Sequence, residues 1–186
     1  MADLQSAFTT YKSWGRVGDE LRWAPWLCRL PEPAKPLPSA ADDGEHARKL
    51  YSLFARDHAA YVTLGASPPR VSQDQVVVKE SYVPEPVPGP LPPLLGRPGD
   101  LDRQPGDQDH FYPYSRAKDG TVVRAGRVAG LFVILEKPRG TPGTDDGFVY
   151  GTLTPEGEVT SAGKVSSCMG CHVQAPHRRW FGSPGR

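Results

Sequence analysis

Near its C-terminus the chain runs Ser166-Ser167-Cys168-Met169-Gly170-Cys171-His172, and no other stretch restricts the fold as tightly. Two thiols two residues apart can each add to a vinyl group of one porphyrin, and the adjacent His172 then lies under the iron as proximal ligand. A chain using Cys-x-x-Cys-His in this way must leave room for one covalent haem c, anchored by Cys168 and Cys171. Other readings stay open. A redox dithiol expects a βαβ setting and gives His172 no metal. Half of a zinc site would need further ligands from Cys28, His110 or His177, because no second Cys-x-x-Cys exists. Two buried cysteines beside a histidine need no chemistry, since free cysteine behaves as a small hydrophobe.

Length and composition bound the rest. The 186 residues suffice for one domain with a real core, so 1–186 is expected to be a single c-type haem domain. With 20 glycines and 21 prolines the chain is rich in turns and long loops, which favours β structure over a helical bundle. The formal net charge is +1 and no lysine or arginine run occurs, which excludes the electrostatic signature of a nucleic-acid or anionic-membrane partner. No stretch approaches transmembrane length, and Met1-Ala2-Asp3-Leu4-Gln5 lacks the basic and apolar regions of a secretion signal. Haem c is attached outside the cytoplasm, so a periplasmic or otherwise exported protein is expected. Its precursor would carry a signal or lipid anchor that this sequence lacks, and Met1 would not be its natural start. Cys28 is left over as a buried thiol or an intermolecular partner and is assigned no chemistry.

Taken in order, Leu4, Phe8, Tyr11, Trp14, Leu21, Trp23 and Trp26 recur at roughly helical spacing and predict one or two short helices, packing on a sheet. Leu30 to Pro38 carries four prolines and reads as an extended connector, closing a helical and proline-rich N-terminal extension over 1–42. Asp42-Asp43-Gly44-Glu45, followed by Ala47, Leu50, Tyr51, Phe54 and Ala55, predicts a helix over about 43–57, flanked by His46 and His58 as solvated or capping histidines. Gln75 to Val83 reads as a strand. A proline-rich insertion is expected over 84–106, either a surface excursion or a lid. Lys118-Asp119-Gly120 signals a hairpin into Thr121–Arg124; Ala129 to Leu135, Phe148 to Leu153 and Glu158 to Ala162 read as further strands.

The axial ligands would decide the function. The only methionines are Met1 and Met169; one is terminal and the other lies inside the attachment loop, so a His/Met electron-transfer haem is not expected. His177, five residues after His172, falls on the proximal side. His110 is the better candidate for a distal histidine. Otherwise the sixth ligand is a lysine, or the iron is five-coordinate or water-bound, and such an open iron binds or converts small molecules.

The strand ending Val76-Val77-Val78-Lys79-Glu80, the apolar strand Leu131 to Lys137, the aromatic strand Phe148-Val149-Tyr150-Gly151 and Cys168-Met169-Gly170-Cys171-His172 together resemble the cytochrome P-460 and cytochrome c prime-beta family over roughly residues 43–182. The resemblance implies an α+β fold: an antiparallel β-sheet with flanking N-terminal helices, a C-terminal haem-attachment segment, and often a homodimer. It implies one of two activities: hydroxylamine oxidation with a lysine cross-linked to the porphyrin, or binding of nitric oxide or carbon monoxide in an apolar distal pocket. Lys79 is similar in position to the cross-linked lysine, or else an ordinary strand lysine with its ammonium in solvent. Glu136 is a possible distal carboxylate able to take protons from an N–OH substrate, or a surface partner of Lys137 or Arg139. Phe132, Phe148, Tyr150, Trp180 and Phe181 are candidates for the haem wall. Trp14 to Pro38 and the proline-rich insertion depart from the family pattern. The expected protein is thus an exported monohaem c-type cytochrome with an open or weakly ligated iron, served by a small diatomic or nitrogenous ligand and a redox partner protein. The alternatives are a six-coordinate electron-transfer cytochrome and a zinc-stabilised binding domain.

Overall fold

A computed structural model describes residues 1–20, 29–40, 46–65, 74–102 and 107–183. In chain order they form α1 (Ala2–Thr10), β1 (Gly15–Arg16), β2 (Leu37–Pro38), β3 (Leu50–Ala55), α2 (His58–Val62), β4 (Val76–Pro86), β5 (Tyr114–Arg116), β6 (Val122–Glu136), β7 (Phe148–Leu153), β8 (Val159–Gly163) and α3 (Ser166–His172), with single 3-10 turns at Tyr11–Ser13 and Pro98–Asp102. The eight strands make one antiparallel sheet in the order β1-β3-β4-β6-β7-β8, with β2 also on β3 and β5 also on β6. The α+β class and the antiparallel sheet are as expected. No described helix is long and apolar enough to cross a membrane.

The middle of the sheet is packed on both faces, so Val76–Val78 and Leu131–Leu135 are apolar at every position. Successive side chains of a strand point to opposite sides. On β4, Val76 and Val78 join Phe54, Leu131, Val133, Leu135 and Leu153 on the face that α1 covers. Val77, one residue out of phase, joins Ala55, Ile134, Phe148, Tyr150 and Trp180 on the other face.

Leu4 and Ala7 of α1, and Tyr11 of the turn that follows, spaced three and four apart, are the face this segment buries. The helix can settle closely because β7 has no side chain below it: a Cβ on Gly151 would come within 2.6 Å of Leu4 Cδ1. A polar tie fixes the same junction. Glu80, 1 % exposed, accepts from Tyr11 Oη (2.9 Å), Tyr82 Oη (2.7 Å) and Lys12 Nζ (2.7 Å). Buried carboxylates persist only when partnered in this way.

Several expectations change. The helix predicted over 43–57 is the strand Leu50–Ala55, followed by the five-residue helix His58–Val62, which Asp57 caps by accepting from Ala60 N. Leu50 and Phe54 lie four apart, a spacing that fits one face of either a helix or a strand, and a strand buried on both sides carries apolar residues at intervening positions too. The acidic start signal at 42–45 lies outside the described residues, as do Leu21, Trp23, Trp26 and Cys28. Trp14 packs against the α1-side core. Among the described residues of the N-terminal segment only Ala2–Thr10 is α-helix, and Leu37–Pro38 is an edge strand, in keeping with an extended connector.

The proline-rich segment also begins later than expected, because β4 runs to Pro86. Val87 N donates to Val122 O, so alternate amides face β6 while positions 84 and 86 face the edge left open beyond the end of β3. Proline, which has no amide to donate, is tolerated there. The Lys118-Asp119-Gly120 turn forms as expected, with Gly120 at φ 86° and Asp119 accepting from Thr121 N. The two strands predicted at Thr121–Arg124 and Ala129–Leu135 are one strand, β6.

Leu4→Ala removes the contact that seats α1 on β7 and is expected to cost about 2–5 kcal/mol. Leu95→Ala, at a position 68 % exposed, should cost almost nothing by denaturant unfolding.

Candidate functional site

The face opposite α1 carries the residues with chemical potential. α3 places Cys168, Cys171 and His172 at i, i+3 and i+4, on one side of the helix. Val165, Cys168 and Met169 pack against the core cluster of that face, while Cys171 stays exposed.

Beyond α3 the chain makes a tight reversal. His177 N donates to Trp180 O and Trp180 N to His177 O, with Arg178 at φ 48° and Arg179 at φ 69° between them. Two successive left-handed residues are the geometry of a type I′ turn, which favours Asn and Gly. Two arginines there cost on the order of 1–3 kcal/mol each in backbone strain. Their side chains explain the persistence of the turn. Arg178 Nη1 donates to Glu136 Oε1 (2.5 Å) and Nη2 to Asp146 O (2.7 Å), and its guanidinium lies 4.9 Å from the Phe148 ring. Arg179 grips Asp145 with two bonds, Nε to Oδ2 (2.8 Å) and Nη2 to Oδ1 (3.0 Å), and Tyr150 Oη donates to the same carboxylate (2.9 Å). The Arg179 bonds, first among the causes, hold the Asp145 carboxyl below its usual range.

This turn sets the tautomer of His172. Its Nδ1 lies 2.7 Å from the Arg179 carbonyl oxygen. A carbonyl can only accept, so Nδ1 carries the proton and Nε2 keeps a lone pair. Burial lowers the pKa of the ring, against the opposite pull of the Arg179 carbonyl, and favours the neutral form. The ring packs on Tyr150 (centroids 5.5 Å) and Phe181 (5.1 Å). Phe181, which packs on the ring, is 49 % exposed, and Val173, the next residue in the chain, 55 %. An uncharged imidazole with a bare Nε2, two thiols on the same helix side and exposed apolar neighbours fit the demands of a thioether-linked haem; the donor set is complete for that purpose.

A second group faces this one. In register across the sheet, Lys79 pairs with Phe132 and Phe132 with Thr152, one row from the Val77, Ile134 and Tyr150 row. Adjacent rows on one face are about 7 Å apart. His46 lies against Phe132 (centroids 4.2 Å), its Nδ1 3.4 Å from Lys79 Nζ, and that ammonium sits 4.2 Å over the Tyr51 ring. Burial, then the charge of Lys49, pushes Lys79 down to about 8, with Cys171 acting the other way. Lys79 is therefore no lysine with its head in open solvent.

The remaining candidates separate. Phe132 and Tyr150 flank the two groups, and Phe181 lies at the rim. Phe148 and Trp180 are core, packed edge to face at 5.4 Å. Glu136 shares the face but stands at the far end of β6, paired with Arg178 rather than with Lys137 or Arg139. His110 is fully buried, Nε2 3.1 Å from Asp19 and Nδ1 2.9 Å from Asp100, so neither ring nitrogen is presented to the Cys-x-x-Cys-His segment. His177 packs its ring toward Gly65 and Gly182. Among the described residues no three His, Cys, Asp or Glu side chains come together as a metal cluster, so the zinc reading lacks its remaining ligands there. Sequence reasoning missed His46, Asp145 and Arg179; nothing local marks them, because each acts through a contact between distant segments. Comparison with models of known protein families and with the curated proteins finds no match for this chain.

Lys79 binds its proton less tightly in the folded chain (about 8) than at the ordinary lysine value of 10.5. Between these values the unfolded chain holds more protons, so stability rises with pH across that window. Denaturant titrations spaced through it should show the rise in the parent chain and a flattened profile in Lys79→Met.

Proposed function

We propose that this chain is an exported monohaem c-type cytochrome, similar to the cytochrome P-460 and c prime-beta family, whose iron keeps an open or weakly held sixth position. It binds small ligands such as nitric oxide or carbon monoxide, or oxidises a small nitrogen compound such as hydroxylamine. The observation that carries the reading is the 2.7 Å contact between His172 Nδ1 and the Arg179 carbonyl, which reserves Nε2 as a metal donor beside Cys168 and Cys171.

The haem, when bound, supplies an iron able to take a small ligand. Cys168 and Cys171 tether it. Asp145 holds Arg179, and Arg179 holds the imidazole of His172 in orientation. Tyr150, Phe132 and Phe181 exclude water. A six-coordinate electron-transfer haem needs a second nitrogen, and His110 has both of its nitrogens against carboxylates.

The oxidising branch calls on Lys79, which β4 holds on the same face as His172, its head against Tyr51 and His46.

The test is an optical spectrum of protein matured with haem c, ferric and ferrous, with and without carbon monoxide, followed by denaturing mass analysis. The open-iron reading expects one covalent haem and a high-spin ferrous spectrum that shifts with carbon monoxide. Loss of the Lys79 peptide from its expected mass marks the cross-linked, hydroxylamine-oxidising type. A low-spin spectrum indifferent to carbon monoxide means electron transfer, and a chain without haem ends the proposal. His172→Ala should keep the added mass and change the axial spectrum, whereas Cys171→Ala should leave one thioether.

A further inference from the structure

His46 has no part in the reading above, yet it shares a face with His172 and is held from two sides. Phe132 closes one side of its ring, and Lys79 Nζ meets Nδ1 at 3.4 Å. A lysine ammonium can only donate, so Nδ1 accepts and the neutral ring carries its proton on Nε2. Burial, reinforced by the charge of Lys79, brings His46 down to about 4 and keeps the ring neutral at physiological pH. The two imidazoles of this face are thus set in opposite tautomers. His172 has a bare Nε2, which a metal takes; His46 has an Nε2–H, which a metal does not take but a metal-bound anion or polarised ligand atom does.

The geometry points to His46 as the hydrogen-bond donor to a small anionic or electron-rich ligand held on the haem iron, a role that rests on the ligand-binding branch of the haem reading above, in which Lys79 keeps its ammonium. Among the described residues, Lys79 contacts the ring and Lys49 lies 5.5 Å from the Phe132 ring beneath it, and a lysine ammonium in contact with the ring favours a ligand atom bearing negative charge. An apolar distal pocket would prefer carbon monoxide over such ligands; a donor beside a lysine shifts the preference toward anions.

Fluoride binding to the ferric holoprotein and the carbon monoxide stretching frequency of the ferrous form test this without reference to turnover. His46→Leu should weaken fluoride by about 10- to 100-fold, the worth of one hydrogen bond to a charged acceptor, and raise the stretching frequency. His46→Gln, which keeps an N–H donor, should recover most of the fluoride affinity, and its recovery separates donation from a packing defect. Equal fluoride affinity and equal stretching frequency in parent and His46→Leu would overturn the role of His46 while leaving the open iron intact. A parent protein that binds neither probe would sink the open-iron reading and this inference with it. A low-spin parent that becomes high-spin in His46→Leu would make His46 the iron ligand itself and overturn its role as donor.

Discussion

The two-residue period of β4 and β6 is the constraint on which the molecule depends. Because both faces of these strands are covered, each step along the chain switches between a purely mechanical surface and one that can carry chemistry. Glu80 turns to α1 and anchors it through Tyr11 and Lys12, while its neighbour Lys79 turns the other way, to His46 and Tyr51. A slip of one residue would put a lysine under α1 and a glutamate beside His46, so register here is specified by charge as well as by apolar burial. The Val76-Val77-Val78 run tolerates such a slip on hydrophobic grounds alone. The Lys-Glu pair that follows it does not.

Strain and electrostatics meet in the reversal at 177–180. Left-handed backbone at two arginines is costly, and asparagine with glycine would make the turn more cheaply. What the arginines add is connection: Arg178 reaches β6 through Glu136, and Arg179 reaches the loop before β7 through Asp145. The Arg179 carbonyl is thereby placed on His172 by side-chain bonds made elsewhere. A glycine at that position would ease the turn and leave the carbonyl free to wander, and the tautomer of His172 with it.

The sheet was legible where the sequence pattern had one meaning. Phe148–Leu153 and Val159–Gly163 lie close to where alternation and turn residues put them, and the glycine hairpin before β6 was marked by its own turn chemistry. The pattern failed at Leu50–Ala55, where two-sided burial mimics a helical stripe, and at Pro84–Pro86, where proline reads as loop unless the open edge is known. Of the candidate site, Cys168, Cys171 and His172 were legible because their spacing is itself the chemistry, and Lys79 through family resemblance. His46 was not: its role arises from a contact with Lys79, 33 residues on. Glu136 was legible only as a possible distal carboxylate or a surface partner of Lys137 or Arg139; its partner Arg178 is 42 residues away and no local signal names it.

α3 is weak taken alone. It has seven residues, no side-chain cap at Val165 and no fully buried side chain, and a helix so short is unstable in water unless something else holds it. That support is supplied by Val165, Cys168 and Met169 against the core and by the Arg179 carbonyl against His172. Order in the Cys-x-x-Cys-His segment therefore follows from the sheet and the arginine turn rather than preceding them. A porphyrin tethered by Cys168 and Cys171 would add to α3 burial that its own sequence lacks, so that attachment and local folding would reinforce one another.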